Sequence, residues 1–272
     1  GLNPVAVLRA RYGIKVIYTD IALCFCDPIQ TLERTLTTRT KAIVLSHVSW
    51  ATGAVLPLRE ICELAHRVGA LVICDAAQGC GMIPSRVYDL QVDAYALSGQ
   101  KWLCGPDGTG ALFIRRDLLP RIQNTFAGYW GIKTRVARED AAIEFGESAQ
   151  RYQYAAHYTP AVAGWIETLQ WIRDEVGWEW VYPRTRELAQ YAHDALNAIP
   201  GVNLYLPREQ VAGLVHFTVD GIAPADLTAR LFEQNILIRH TPDPVLNRIA
   251  TGFYNNEDDI QQLVSAIQAL RV

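Results

Sequence analysis

Tyr95-Ala96-Leu97-Ser98-Gly99-Gln100-Lys101-Trp102-Leu103-Cys104-Gly105-Pro106 reads as a short buried strand that empties into a small, polar, glycine-flanked turn carrying one lysine. Upstream, Leu71-Val72-Ile73-Cys74 is a second apolar run, and it ends in Asp75-Ala76-Ala77-Gln78. An acid therefore closes one strand and a lysine follows the next. In an open α/β sheet, ligands sit beyond the carboxyl ends of the strands, so both side chains are expected in one crevice. Each residue alone has a plainer reading. A lysine after a strand is commonly a solvated loop residue, and an aspartate there commonly caps the next element.

Outward from this stretch, strands and amphipathic helices alternate. Pro4–Arg11 reads as a helix and Gly13–Tyr18 as a strand. Asp27-Pro28 opens a helix through Leu32 and Leu36. Ala42–Val48 is a buried strand, with Ser49–Gly53 at its tip. Pro57 starts a helix whose Leu58, Ile61, Leu64, Ala65 and Val68 keep to one face, and Gly69 ends it. Ala111–Ile114 is one more strand. The alternation predicts right-handed βαβ units and a mostly parallel sheet. From Phe126 to Tyr158 the periodicity fades into a loop-rich segment expected near the site. Val162, Trp165, Ile166, Leu169 and Ile172 then form a helical stripe, and a second helix spans Pro183–Ala198. The pattern then changes to short strands, Val202–Tyr205, Gly213–Val219, Ile236–Arg239 and Ile249–Tyr254, with a helix near Ala225–Gln234. A final helix is capped by Asn256, carries Glu257, Asp258 and Asp259 in its first turn, and buries Ile260, Leu263, Val264, Ile267 and Leu270. The expected division is an α/β domain over residues 1–160 and a connecting helix with a small α+β domain over 161–272.

The bulk properties narrow the function classes. A chain of 272 residues, 50% hydrophobic and 19% charged, has the composition of a globular enzyme rather than a disordered chain. A net charge of −3 supplies no basic field, so neither nucleic acid nor an anionic membrane is expected as a partner. No apolar run is long enough to span a bilayer, and Gly-Leu-Asn-Pro does not read as a signal peptide. The cysteines at 24, 26, 62, 74, 80 and 104 are scattered, and Cys24-Phe-Cys26 lacks the spacing of a metal or redox pair, so no metal site is expected. A reduced, cytoplasmic protein is the resulting expectation.

A lysine able to form a Schiff base and an acid able to hold a pyridinium nitrogen protonated are what pyridoxal phosphate (PLP) asks of its protein. Val72-Ile73-Cys74-Asp75-Ala76-Ala77-Gln78 followed by Ser98-Gly99-Gln100-Lys101 resembles the cofactor site of the class V aminotransferase family, fold-type I PLP enzymes that include the cysteine desulfurases. The resemblance runs from about Val5 to Val272. It implies that Lys101 carries the cofactor, Asp75 pairs with the ring nitrogen, Gln78 contacts the phenolic oxygen, and Ser98 and Gln100 contact the phosphate. Gln100 stands where many members carry a histidine. Arg248-Ile249-Ala250-Thr251-Gly252-Phe253-Tyr254 is similar to the family segment whose arginine binds the substrate α-carboxylate, a task suited to its planar fork. The family also implies a small amino-acid substrate and a homodimer.

Several positions depart from that pattern. Trp50 replaces an asparagine near the cofactor, and Ala156 replaces a threonine that reaches the partner subunit's phosphate. No cysteine lies near Phe253, where one desulfurase subgroup places a persulfide-forming thiol, and Cys104 reads as packing. The resemblance implies cysteine desulfurase/C–S lyase-like chemistry, with Trp50 and the missing thiol favouring the lyase branch, and class V transamination or isopenicillin N epimerase-like chemistry as the alternative. The resemblance further implies that the family's N-terminal stretch, with its phosphate loop and ring-stacking residue, is lacking here. His47 is a structural histidine rather than its substitute. A rival reading of another class is a non-catalytic family fragment with a structural or binding role. A serine hydrolase finds no Gly-x-Ser-x-Gly elbow in the chain.

Overall fold

The computed structural model describes residues 2–23, 26–133 and 143–270. Cys24 and Val272 therefore lie outside the described residues, as does part of the loop-rich segment. The elements run α1 (Leu2–Tyr12), α2 (Pro28–Thr35), β1 (Ala42–Ser46), α3 (Leu58–Arg67), β2 (Leu71–Asp75), α4 (Val87–Leu90), β3 (Ala94–Ser98), β4 (Gly110–Ile114), α5 (Thr159–Trp171), α6 (Trp178–Asn197), β5 (Val202–Leu204), β6 (Leu214–Val219), α7 (Pro224–Phe232), β7 (Arg239–Pro242), β8 (Val245–Ala250) and α8 (Glu257–Ala269).

Two four-stranded sheets result, ordered β1-β2-β3-β4 and β5-β6-β8-β7. In the first, β1, β2 and β3 are parallel and β4 closes the edge antiparallel. This is the mostly parallel α/β sheet expected for the first part of the chain. The second sheet is antiparallel throughout.

Side chains alternate across a strand. Val72 and Cys74 accordingly face α3 and its core of Leu58, Ile61, Cys62 and Ala65, while Leu71, Ile73 and Asp75 share the other face. That second face is open: Val44, Ile73 and Leu112 remain 40–45% exposed. Asp75 sits at its carboxyl end.

Local devices fix several element ends. Asp27 caps α2 by accepting from the backbone N–H groups of Ile29 and Gln30. Gly69, at φ 77°, reverses the chain between α3 and β2. Asn256 and Asp259 form a reciprocal capping box at α8. Below the sheet, the buried Asp93 carboxylate accepts from Val72 N at 2.7 Å, pairs with His66 Nε2 at 2.8 Å, and meets Arg115 Nη1 at 2.8 Å.

The two sheets meet through a small core of Val48, Met82, Trp102, Ala212 and Leu214, in which the residue after Lys101 packs against the start of β6. A Cβ at Gly213 would lie 2.7 Å from the Trp102 ring, so glycine is needed for that approach.

Four expectations need correction. Gly13–Tyr18 is not a strand: it runs without a pairing partner, and its Ile14, Ile17 and Tyr18 are exposed. Apolar content alone cannot make a strand where no neighbour pairs with it. Helix α6 begins at Trp178 rather than Pro183, because a proline this near the start costs only one internal hydrogen bond. Residues Ile236–Ile238 are irregular, and pairing begins at Arg239. Strand β8 ends at Ala250, with Thr251–Tyr254 turning toward α8.

Replacing Asp93 with alanine orphans the buried Val72 N–H and removes one of the two carboxylates that pair with Arg115, leaving Asp117. Urea unfolding of this variant is expected to show a loss of about 2–3 kcal/mol. An unchanged midpoint would contradict the anchoring role.

Candidate active site

A cleft of about 320 Å³ opens at the carboxyl ends of β1 and β2, lined by Ser46, Val48, Trp50, Asp75, Ala77, Gln78, Lys101, Arg239 and Arg248. The sequence separates these residues widely, and the two sheets bring them together. Of the positions singled out in the sequence, Trp50, Asp75, Gln78, Lys101 and Arg248 line this cleft. Ser98 and Gln100 flank the lysine turn without lining it. The described parts of the 126–158 segment do not line it either; Phe126, Tyr152 and Tyr154 instead border a second, apolar hollow against Ile73 and Leu112.

The Lys101 turn is rigidly specified. Gly99 N donates to Thr109 O at 2.8 Å, Gly105 N to Gly99 O at 2.8 Å, and Cys104 N to Lys101 O at 3.0 Å. Cβ atoms at Gly99 or Gly105 would collide with the Trp165 ring of α5, so both positions require glycine. Burial and the nearby Arg248 cation lower the Lys101 pKa from the ordinary 10.5, with burial the larger cause; Asp75 opposes the shift. The ammonium is thus easier to deprotonate than a solvated lysine, while a carboxylate remains close enough to act on it.

Asp75 is half-buried. Its Oδ1 accepts from Ala77 N at 3.0 Å, which fixes the side chain at the strand end. Gln78 Oε1 accepts from Trp102 Nε1 at 2.8 Å. An indole N–H only donates, so this bond sets the amide orientation and leaves the Gln78 –NH2 as the donor toward the cleft.

Arg248 lies directly across β8–β7 from Arg239 and across β6–β8 from His216. Like charges placed opposite one another are unfavourable. Among the described residues, no carboxylate pairs with either arginine. The Arg248 Nε–H is buried without a partner, and burial followed by the Arg239 charge lowers the pKa of the group. Such a pair can hold an anion. Arg239 is the member that sequence reasoning missed: its strand, Arg239-His240-Thr241-Pro242, has no apolar alternation, and only the cross-strand register reveals it.

His47 is buried just beneath, with Nδ1 2.9 Å from the Tyr95 hydroxyl. Burial pushes its pKa down to about 4, so it is a neutral structural group at neutral pH, as the sequence suggested. Among the described residues, no three His, Cys, Asp or Glu side chains cluster closely enough to hold an ion.

The family model for Aminotransferase class-V matches residues 2–263, and the chain belongs to that family. It is 32% identical to a cysteine desulfurase of Haloferax volcanii over 85% of this chain and 56% of that protein. It is also 32% identical to probable cysteine desulfurase 2 of Mycobacterium leprae, over 98% of this chain and 65% of that one. Among solved structures, the cystine C–S lyase C-DES, in complex with its reaction product cysteine persulfide, superposes with a TM-score of 0.92 at 30% identity, covering 98% of this chain and 71% of that one. Cysteine desulfurase CsdA of Escherichia coli gives 0.87 at 25% identity, covering 99% and 69% respectively. The fold is therefore that of fold-type I PLP enzymes. The chain spans 56–65% of the length of the first three relatives it matches.

His47 and His216 each titrate near 4 when folded, against 6.5 when free. The unfolded chain therefore takes up these protons first as pH falls. The histidine contribution to stability is expected to decline from pH 6.5 to about 4, by on the order of 2–3 kcal/mol for each ring, and to change little below. Urea unfolding at pH 7 and pH 4.5 reads this directly, and His47→Gln should lose less between the two. An identical loss in that variant would contradict the assignment.

Proposed function

We propose that this chain forms the lysine-bearing part of a PLP-dependent enzyme that cleaves the C–S bond of cysteine or cystine, closer to a C–S lyase than to a persulfide-forming desulfurase. The observation that carries the reading is the convergence of Lys101, Asp75, Gln78 and Arg248 on one cleft. The residues fit PLP: the cleft offers an amine of lowered basicity, a fixed carboxylate, an oriented amide donor and a guanidinium with an unpartnered buried N–H. Bound there, PLP supplies an electron sink for the substrate α-carbon.

The chain's own residues have separable tasks. Lys101 Nζ would hold the cofactor and would be the base that takes the substrate α-proton. The Asp75 carboxylate holds a proton on the ring nitrogen. The Gln78 –NH2 donates to the phenolic oxygen. Ser98 and Gln100, beside the lysine turn, are the proposed phosphate donors. Arg248 binds the substrate α-carboxylate through its fork, with Arg239 adding positive charge beside it. Trp50, half-exposed at the rim, contacts the substrate side chain.

The absence of cysteine around Phe253 favours release of the sulfur product to solvent over its capture on the protein. The reading also includes a homodimer, to which the exposed aromatics Phe126, Tyr154 and Tyr158 lend an apolar surface, and a small amino acid as substrate. It includes a cytoplasmic location, with which the free thiols of Cys26, Cys62, Cys74, Cys80 and Cys104 accord. Residues 1–160 form the cofactor domain and 161–272 the connecting helix and small domain, a division that places one sheet in each.

Incubation with PLP and either L-cystine or L-cysteine tests the reaction. Pyruvate formation is the expected result; alanine would indicate desulfurase chemistry, and no product from either would favour the non-catalytic reading. Arg248→Ala should raise KM by about tenfold to a hundredfold, because a charge-assisted pair is lost. An unchanged KM would remove Arg248 from the substrate site.

A further inference from the structure

The Trp50 carbonyl accepts two hydrogen bonds from residues far away in sequence: Arg248 Nη1 at 3.3 Å and His216 Nε2 at 3.2 Å. Trp50 belongs to the loop after β1. The two donors are direct cross-strand partners on β6 and β8. One oxygen thereby joins the first sheet's loop to the second sheet's anion-binding row. We infer that His216 is a positioning residue for Arg248, acting through the Trp50 carbonyl they share to hold the guanidinium at the cleft.

His216 is only 2% exposed, and burial, the larger lowering cause, keeps its pKa near 4, so the ring is neutral at neutral pH. A neutral imidazole has one N–H, and only a donor can face a carbonyl. Nε2 must therefore carry the proton and Nδ1 the lone pair. Nδ1 is buried and has no partner. An unpaired buried nitrogen is unfavourable, and an apolar residue would suit a position between Val215 and Phe217 better. The N–H directed at Trp50 is what a phenyl ring could not supply.

The acceptor is itself held in place. Gly53 N donates to Ser49 O at 2.8 Å, Ser49 N to Ala54 O at 2.9 Å, and Thr52 Oγ1 to Ala22 O at 2.7 Å. Gly53, at φ 81°, lies so close to His216 that a Cβ there would stand 3.0 Å from Nδ1. Arg248 is otherwise a long side chain without a carboxylate partner among the described residues, and ordering it has an entropic cost. A carbonyl fixed from the opposite side gives it one defined orientation. The plainer reading is that His216 only fills the gap beside Gly53.

What Arg248 binds rests on the proposed function; the positioning itself does not, so the test has two arms. In the 15N-labelled chain without cofactor, the Arg248 Nε–H resonance is assigned by its disappearance in Arg248→Lys. His216→Phe removes the donor but keeps a ring. His216→Asn, too short to reach the carbonyl, serves as a second donorless variant. His216→Gln restores an N–H near the Nε2 position. Solvent exchange of the Arg248 Nε–H is expected to be about tenfold faster in the Phe and Asn variants, with the Gln variant close to wild type.

In the PLP-loaded protein, His216→Phe should raise KM for L-cystine about tenfold, with kcat changed by less than about twofold. In an Arg248→Ala background it should add nothing further. Exchange unaffected by His216→Phe and His216→Asn, or an equal KM effect with and without Arg248, would overturn the inference. Faster exchange without any effect on KM would leave the positioning intact and count against the substrate role of Arg248.

Discussion

Three basic side chains, Lys101, Arg239 and Arg248, surround one carboxylate, Asp75, in a cleft that only the meeting of two sheets creates. Burial disfavours the charges of Lys101 and Arg248, and Arg239 lies directly opposite Arg248 across their strands. Such an imbalance is tolerated where an anionic ligand completes it. Burial, with a smaller contribution from the Arg248 charge, also lowers the basicity of Lys101, which a nucleophilic amine requires. Asp75, close enough to pull the lysine the other way, keeps the effect moderate.

Holding those charges together depends on features that look structural. The Lys101 turn is fixed by glycines pressed on Trp165. Gln78 is oriented by an indole that can only donate, and Trp102 also packs the two sheets together. The Trp50 carbonyl ties loop to sheet. Each of these groups stands next to a chemical residue and removes its freedom to reorient, which is how a site on short loops reaches defined geometry.

Much of this was legible in the sequence. Strands β1, β2 and β3 are continuous apolar runs bounded by Pro57, Gly69 and Gly99, and the acid and lysine at their ends announce a ligand crevice. The α8 cap was readable from Asn256 and the acids behind it. What was not legible depends on pairing across distance. Arg239 opens a polar strand whose register with Arg248 no local pattern specifies. His216 sits within an apolar run, where a histidine reads as core. Gly13–Tyr18 has the composition of a strand but no partner. The second sheet decides where the arginines stand, and its register is a tertiary property.

Lys101 is proposed to be the one lysine of the chain that binds PLP covalently. The most direct measurement is borohydride reduction of the PLP-treated chain, followed by peptide mass mapping, for wild type and Lys101→Ala. The account predicts a yellow species in wild type that reduction locks onto the peptide containing Lys101, and no stable label in the variant. Label spread over Lys15, Lys41 and Lys133, or equal labelling of wild type and variant, would contradict it.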